Sequence, residues 1–370
     1  MSLTRLELSN VRNLQRVQIN PGSTFNLIYG SNGSGKTSFL EAVHLLGLGR
    51  SFRTLINHKL ITMGHTTCNV FGRTSSVLHK NIENALGIQK STKLKTLVKI
   101  NGEQANSAAV LAEYLPLQLI TPESIDLITG PAKNRRQFID WGVFHVEHQF
   151  INQWRMVQRQ VKQRNALLKS VGQGAYSAAP LLQQLSSWDE QLLVSSKVVD
   201  RARQAYLVEL MPYIMAYAEM FLPGFDLGVD YYAGWPKGAS LADYLLTSLD
   251  KDIKQGYTFY SPNRADIRLK VADNPASDVL SRGQMKLLVC ALKLAQAKHL
   301  AEQKGIQSIF LVDDLAAELD PANRAKLCAA LDLIGSQVFI TSVDKDSIIK
   351  YLPDSSWKVF HVEQGELDAI

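Results

Sequence analysis

Gly30-Ser31-Asn32-Gly33-Ser34-Gly35-Lys36-Thr37, near the N-terminus, decides how this chain is read. The string fits the GxxxxGK[ST] pattern of a phosphate-binding loop. Its glycines let backbone N–H groups turn inward around phosphates, its lysine reaches the β- and γ-phosphates, and the hydroxyl that follows is a Mg²⁺ ligand. Phe25–Tyr29 reads as a strand running into the loop, and Lys36–Leu46 has helical spacing with Gly47 as its stop. Strand, loop and helix form the context that such a loop requires. Gly30, Ser31, Asn32, Gly33, Ser34, Gly35, Lys36, Thr37 and Ser38 are therefore the expected ATP contacts, with Lys36 also catalytic and Thr37 on the metal.

The other half of the site lies far downstream. Ser308-Ile309-Phe310-Leu311-Val312-Asp313-Asp314 is an apolar run that ends in two carboxylates. A continuous apolar run is how a strand buried on both faces reads, and its C-terminal end is where open α/β sheets bind ligands. Asp313 is expected to hold Mg²⁺ through water, and Asp314 to orient and deprotonate the attacking water. Many ATPases of the ABC type have Glu at the second position. Asp is one methylene shorter, so slow turnover is expected. About 30 residues upstream, Leu280-Ser281-Arg282-Gly283-Gln284 opens a helix, with Ser281 as N-cap and Gly283 allowing close approach of a phosphate. In ABC-type ATPases this signature serves the nucleotide of a second subunit. Ser281, Gly283 and Gln284 are thus expected to complete the site of a partner copy, with Asp320 of Glu318-Leu319-Asp320 in the loop that crosses the dimer. Where that pattern has a γ-phosphate-sensing His, the strand Gln337–Ile340 leads to Thr341-Ser342, either of which would substitute through a hydroxyl. Gln118 is a candidate sensor glutamine inside a predicted strand, Leu117–Ile120, and Thr121 and Glu123 in the next loop are the alternatives.

The distance between the two halves implies an insertion. Before it, Leu3–Ser9 alternates as a strand and pairs with Leu14–Ile19, and residues 66–105 are β-like with Asn101-Gly102 as a hairpin turn. From 123 to 220 helical spacing dominates. Trp154, Val157, Val161 and Leu168 share one face, and Leu181, Leu185, Trp188, Leu192 and Val199 share another, with a turn-rich connection at Ser170–Pro180. This predicts a two-helix arm with legs of roughly 30–40 residues, on the order of 50 Å at about 1.5 Å per residue. Arg164 falls where a coiled coil requires an apolar residue, so a strict coiled coil is not expected. Residues 221–260 read as an irregular return. Helices at Leu287–Leu300 and Pro321–Ile334 and a last strand at Trp357–Glu363 complete the pattern. The division expected is an ATPase lobe of residues 1–122 and 258–370, interrupted by a mainly helical lobe of residues 123–257.

Composition bounds the setting. The 370 residues are 46% hydrophobic and 20% charged, which is globular, and the net charge of +6 favours an anionic partner beyond the nucleotide. No apolar run reaches the ~18 residues of a membrane span. Arg5 and Glu7 interrupt the N-terminus against a secretory signal, and Cys68, Cys290 and Cys328 are too scattered for a disulfide framework or a zinc site. A cytoplasmic setting without a membrane partner is expected. Arg12, Arg53, Arg135, Arg136, Arg164 and Arg264 are the basic candidates; Arg12 is assigned to nucleotide and Arg135, Arg136 and Arg264 to DNA. His145 and His148 lack further ligands and are expected at the surface. A transporter's nucleotide-binding subunit would share the fold but lack so long a helical arm. A small-molecule kinase would not need Leu280–Gln284, and a non-hydrolysing ATP sensor would not need Asp314.

Taken together, Asn10-Val11-Arg12-Asn13-Leu14, Gly30 to Ala42, Arg50-Ser51-Phe52-Arg53, Gly130-Pro131 with Arg135-Arg136 and Asp140, Gln163 to Lys169, Leu280 to Gln284 and Val312 to Asp320 resemble the RecF family of bacterial replication and repair proteins. The resemblance runs from end to end. It implies an α/β fold similar to the ABC-type heads of the structural-maintenance-of-chromosomes (SMC) proteins, with a short arm in place of a long coiled coil. It also implies a protein that dimerises on ATP, binds single- and double-stranded DNA at gap junctions, and works with RecO and RecR to place RecA on single-stranded DNA. Support of replication restart and of SOS induction follows from the same resemblance, as does a weak, DNA-dependent, Mg²⁺-requiring ATPase that drives release. Two departures stand out. Ser261-Pro262-Asn263-Arg264 replaces the family's usual Gly-Pro-His-Arg, and Val11 replaces Phe. Neither touches the phosphate chemistry.

Overall fold

The computed structural model describes residues 1–76, 82–172, 178–353 and 357–369. The chain forms two compact units. One is Met1–Ile125 with Ala216–Pro223 and Arg282–Ile370; the other is Asp126–Met215 with Gly224–Ser281. Residues 258–281, expected with the ATPase lobe, fall in the helical unit, because Asp266–Val271 pairs along the whole of Leu227–Tyr232 in a sheet of that unit.

The first unit contains two sheets. The antiparallel one runs Leu14–Ile19, Ser2–Val11, Thr67–Ser76, Ile82–Ser91, Leu97–Ile100, Glu103–Gln104 from edge to edge. Asn101 and Gly102, at φ 52° and 88°, make the turn that the Asn-Gly pair predicts. The second sheet runs Glu366–Ala369, Lys358–Glu363, Phe25–Tyr29, Gln337–Ser342, Ile309–Val312, Leu117–Ile120, and is parallel except for its Glu366–Ala369 edge. That edge corrects the expectation that the last strand is Trp357–Glu363, which forms as Lys358–Glu363: Gln364-Gly365 turns the chain back at φ 47° and 86°. Every residue of Ile309–Val312 and of Gln337–Ser342 is buried, as central parallel strands require.

The helix Lys36–Leu48 packs against both sheets. Its Phe39, Leu40, Val43 and Leu46 share one core with Leu6, Val70 and Leu86 of the antiparallel sheet and with Leu311 and Phe339 of the parallel one. A helix flanked on two sides is buried nearly all round, and this one is, Glu41 and His44 included. Gly47 does not end it. The helix closes two residues later on Gly49, in the left-handed region at φ 67°, whose N–H donates to the Leu45 carbonyl. Gly47 has another reason to be small: a Cβ there would lie 2.5 Å from Leu117 Cδ1.

The second unit holds the helices Ala132–Val146 and Phe150–Gly172 and most of Ala178–Phe221, with a three-stranded sheet of Asn274–Pro275, Asp266–Val271 and Leu227–Tyr232. The arm's legs are unequal, 23 and 44 residues, in place of the similar lengths expected. Residues 173–177 of the connection and the side chain of Leu181 lie outside the described residues. The supposedly irregular return contains the strand Leu227–Tyr232 and two short helices, Leu241–Thr247 and Leu249–Gln255. Arg164 explains its own interruption of the apolar face. It is fully buried and bonded to Asp189 and Asp252, both at 2.6 Å, and to Thr258 Oγ1 at 3.1 Å. Arg203, also buried, grips Asp140 with two nitrogens, at 2.8 and 2.9 Å. His145 is not a surface residue. It stacks edge-on to Trp141 and Phe144, and burial pushes its imidazole down to about 3.

Candidate active site

Strand order builds the site. Phe25–Tyr29 and Ile309–Val312 lie on either side of Gln337–Ser342, all three parallel. The phosphate loop after Tyr29 and the acidic pair after Val312 therefore emerge at the same C-terminal edge of the sheet, where such sheets bind ligands. There they line a cleft of about 390 Å³, formed by Asn32, Gly33, Gly35, Lys36, Thr37 and Ser38 together with Arg53, Pro122, Asp313 and Asp314.

Glycines and one neighbouring side chain fix the shape of the loop. Gly33 and Gly35 take φ of 80° and 127°, which side chains disfavour, and a Cβ on Gly30 would stand 2.2 Å from the Val362 carbonyl. Asn13, in the tight turn between the first two strands, donates its amide to the carbonyls of Gly33 (3.2 Å) and Ser34 (3.0 Å) and accepts from Ser38 Oγ (2.9 Å). Sequence reasoning missed this clamp; its signal is a short amide in a turn next to Arg12. Arg12 itself does not line the cleft. Its guanidinium forks onto the fully buried Glu41 at 2.7 and 2.8 Å and donates to the Lys59 carbonyl at 2.5 Å, while Ser51 Oγ also donates to Glu41.

Lys36 Nζ donates to the loop carbonyls of Gly30 (2.7 Å) and Ser31 (2.9 Å). Burial lowers its pKa, and the carboxylates of Asp314 and Asp313 push back. Thr37 Oγ1 sits 3.1 and 3.0 Å from the two oxygens of Asp313. Thr341 Oγ1 donates to Asp313 Oδ1 at 2.7 Å and accepts from the backbone N–H of Asp314 at 2.8 Å. Thr341, one candidate γ-phosphate sensor, is thus bonded to the Asp313 carboxylate and the Asp314 backbone, and Ser342 Oγ, the other candidate, donates to the Asp344 carbonyl at 2.9 Å. Asp314 itself sits in the left-handed region, φ 49° and ψ 51°, at the start of the short Leu315–Glu318 helix. Burial raises the Asp313 pKa most; the hydroxyls of Thr341 and Thr37 oppose it, and the charges of Asp314 and Glu123 add to it.

Gln118 is ruled out as a sensor. It is fully buried, and its amide donates to Gln296 Oε1 at 3.2 Å. The loop after it does adjoin the site, since Pro122 lines the cleft and the Glu123 charge is felt at Asp313. Ser281 immediately precedes the helix Arg282–Lys304 and is exposed, as is Gly283, around which a Cβ would meet nothing within 4 Å. Gly283 and Gln284 are not among the residues that line the cleft. Lys286, one turn into the same helix, pairs with Glu318 at 2.8 Å. Asp320 caps Pro321–Ile334 by accepting from the Asn323 N–H at 3.0 Å, and that bond holds its carboxyl below the usual range.

The arginines assigned to DNA have local partners. Arg135 forks onto Asp266 at 2.8 and 3.1 Å and donates to the Gly130 carbonyl at 2.8 Å; Arg136 donates to the Ala265 carbonyl at 2.7 Å. Both are engaged within the helical unit. Arg264 is exposed, with its guanidinium 5.3 Å from the Tyr257 ring.

The residues present fit ATP and Mg²⁺. A threonine hydroxyl and a carboxylate side by side are the hard oxygen donors that Mg²⁺ selects. Ser34 Oγ, within the loop, is buried with no hydrogen-bond partner among the described residues, a polar atom that a phosphate oxygen would satisfy.

Residues 2–368 match the model of the RecF/RecN/SMC N terminal domain. The chain is 43% identical over 368 residues to the DNA replication and repair protein RecF of Stutzerimonas stutzeri, covering 99% of this chain and 97% of the other. It is 42% identical over 370 residues to RecF of Vibrio cholerae, covering 100% and 99%. Among solved structures it superposes on a recombination mediator RecF bound to ATP, from the RecFOR pathway, with a TM-score of 0.87 at 24% identity, covering 100% of this chain and 97% of that one. An SMC head bound to the winged-helix domain of ScpA follows with a TM-score of 0.59 at 14% identity, covering 100% and 97%. These two show a shared fold.

Proposed function

The chain belongs to the RecF family of DNA replication and repair proteins, and from that premise we propose that it is an ATP-gated clamp on DNA. The observation that supports this most is the cleft in which Lys36 and Thr37 meet Asp313 and Asp314. Loop N–H groups and Lys36 would cradle the triphosphate, with Lys36 exchanging two loop carbonyls for phosphate oxygens. Thr37 and Asp313 would hold Mg²⁺, whose charge offsets that of the phosphates. Asp314 takes a proton from the attacking water, and Thr341 keeps both acids in place. In the ABC-type pattern Ser281, Gly283 and Gln284 serve a nucleotide other than their own chain's. Set at the exposed start of a helix, they suit the γ-phosphate of a second copy, so two chains would sandwich two ATP molecules. The dimer would hold single- and double-stranded DNA at gap junctions and act with RecR and RecO, and through them on RecA. A weak, DNA-dependent hydrolysis would reset it. The family match over nearly the whole chain sets aside the transporter-subunit alternative.

Sedimentation with and without ATP-Mg²⁺, alone and with gapped DNA, tests this. A dimer is expected only with ATP. Lys36→Ala should fail to bind ATP, Asp314→Asn should trap the dimer on DNA, and Ser281→Arg should bind ATP as a monomer. A Ser281→Arg protein that still dimerises, or an Asp314→Asn protein that leaves DNA as fast as its parent, overturns the scheme.

A further inference from the structure

One end of the antiparallel sheet carries a surface that the nucleotide chemistry does not use. Three segments meet there. The Asn57 side chain donates to the Ser91 carbonyl at 2.9 Å, and the Thr92 N–H donates to the Thr66 carbonyl at 3.0 Å. These bonds tie together the stretch 53–59, the turn 62–66 and the 92–96 connection. From them project Leu55, Met63 and Leu94, which are 86%, 97% and 71% exposed. Around them stand Arg53, His58, Lys59, His65, Lys93 and Lys95, all exposed. Residues 50–66 and 90–99 contain no Asp or Glu, and among the described residues none of these six side chains is ion-paired. Solvated surfaces ordinarily mix both signs of charge, and apolar side chains this exposed are normally scattered singly. Cations at this density match a phosphate backbone, and protruding apolar tips match base faces that stacking has left open. A duplex interior hides those faces, whereas a gap edge exposes them.

We propose that this apex is the surface that docks a strand junction, with Lys59, Lys93 and Lys95 on phosphates and Leu55, Met63 and Leu94 against unstacked bases at the gap edge. The assignment rests on the DNA-binding reading above and adds the surface that carries it. Arg53 gives the apex a link to nucleotide, because it also lines the ATP cleft, and its N–H donates at 2.9 Å to Ser51 Oγ, which in turn donates to the Glu41 held by Arg12.

The test is a salt titration of DNA binding by the full-length protein with ATP-Mg²⁺, on a 40-bp duplex with and without a single-stranded gap. Lys59→Ala/Lys93→Ala/Lys95→Ala should flatten the plot of log affinity against log salt by about 2.7, at ~0.9 for each phosphate no longer neutralised. Leu55→Ser/Met63→Ser/Leu94→Ser should keep the parent's slope and lose the preference for the gapped substrate. Both variants should bind ATP as the parent does. A parent that binds DNA while the lysine variant keeps its slope overturns the apex and leaves the clamp intact; a parent that binds neither DNA overturns both. Anionic phosphatidylserine vesicles provide the third arm. Parental binding to them that the leucine and methionine changes abolish, with DNA binding unaltered, assigns the surface to lipid and overturns the proposal.

Discussion

Replacing Thr341 by Val tests the reasoning at its tightest point. Thr341 is fully buried, and its hydroxyl is the link between Asp313 and the Asp314 backbone. Val is nearly the same shape, so packing is preserved while two hydrogen bonds vanish. The bond to a carboxylate is worth about 1.5–3 kcal/mol, and an amide left without an acceptor costs about 1–3 kcal/mol. The sum, about 4 kcal/mol, is shared between folding stability and the hydrolytic step. If half falls on the step, phosphate release slows roughly 30-fold, at ~1.36 kcal/mol per factor of ten. ATP affinity should stay within about threefold, because Lys36 and the loop amides are untouched. Thr341→Ser keeps both bonds and should hydrolyse at close to the parental rate. Single-turnover phosphate release, read beside nucleotide affinity, separates these outcomes. A Val variant that hydrolyses as fast as the parent, or a Ser variant as slow as the Val one, would refute the bridging role.

Gly47→Ala should destabilise the first unit by about 1 kcal/mol, because overpacking against Leu117 costs about 2 kcal/mol while the gain in helix propensity is ~1. Urea unfolding measures it, and a stabilised variant would show that Leu117 yields freely. His44 is buried, its Nδ1 lies 2.8 Å from the Arg50 carbonyl, and burial pushes its imidazole down to about 4. The unfolded chain takes up a proton below about pH 6.5 and the folded one only near pH 4, so stability is full above the upper value and is lost as pH falls between the two. The loss should reach about 3 kcal/mol, at ~1.36 kcal/mol per pH unit, and a His44→Gln protein should lack that part of the slope; parallel curves would rule the histidine out. Arg164→Met should cost about 3–5 kcal/mol by stranding buried carboxylates, with partial recovery in the double variant that adds Asp252→Asn. A melting curve unchanged by the single substitution would show that the two carboxylates tolerate its loss.

The parallel sheet and its loop are legible in the sequence because their signals are local. An apolar run with acids at its end, and glycines before a lysine, carry their meaning within about ten residues. The ends of Phe25–Tyr29, Leu117–Ile120 and Pro321–Ile334 match the structure residue for residue. What the sequence hides depends on partners distant along the chain. Gly47 reads as a stop because nothing nearby shows that Leu117 will pack on it. Leu227–Tyr232 reads as irregular because its strand partner lies well downstream, at Asp266–Val271. Arg135 reads as a nucleic-acid contact because the carboxylate it grips, Asp266, is 131 residues away. Thr341 stands out as a site residue from its place at the end of a strand, but whether its hydroxyl faces a phosphate or the Asp313 carboxylate is a matter of rotamer, which no spacing encodes.

Arg164 has a consequence for the arm. Apolar zippers tolerate slippage, since one leucine can replace another a heptad along. A guanidinium that needs Asp189 on the opposing helix and Asp252 on a third allows a single alignment, and sliding by even one turn, ~5.4 Å, would leave the buried charges of Arg164 and Asp252 unpaired. Signals cannot travel along this arm by helices creeping past each other. Whatever passes through it must tilt the legs together, as a lever moves and not as a piston.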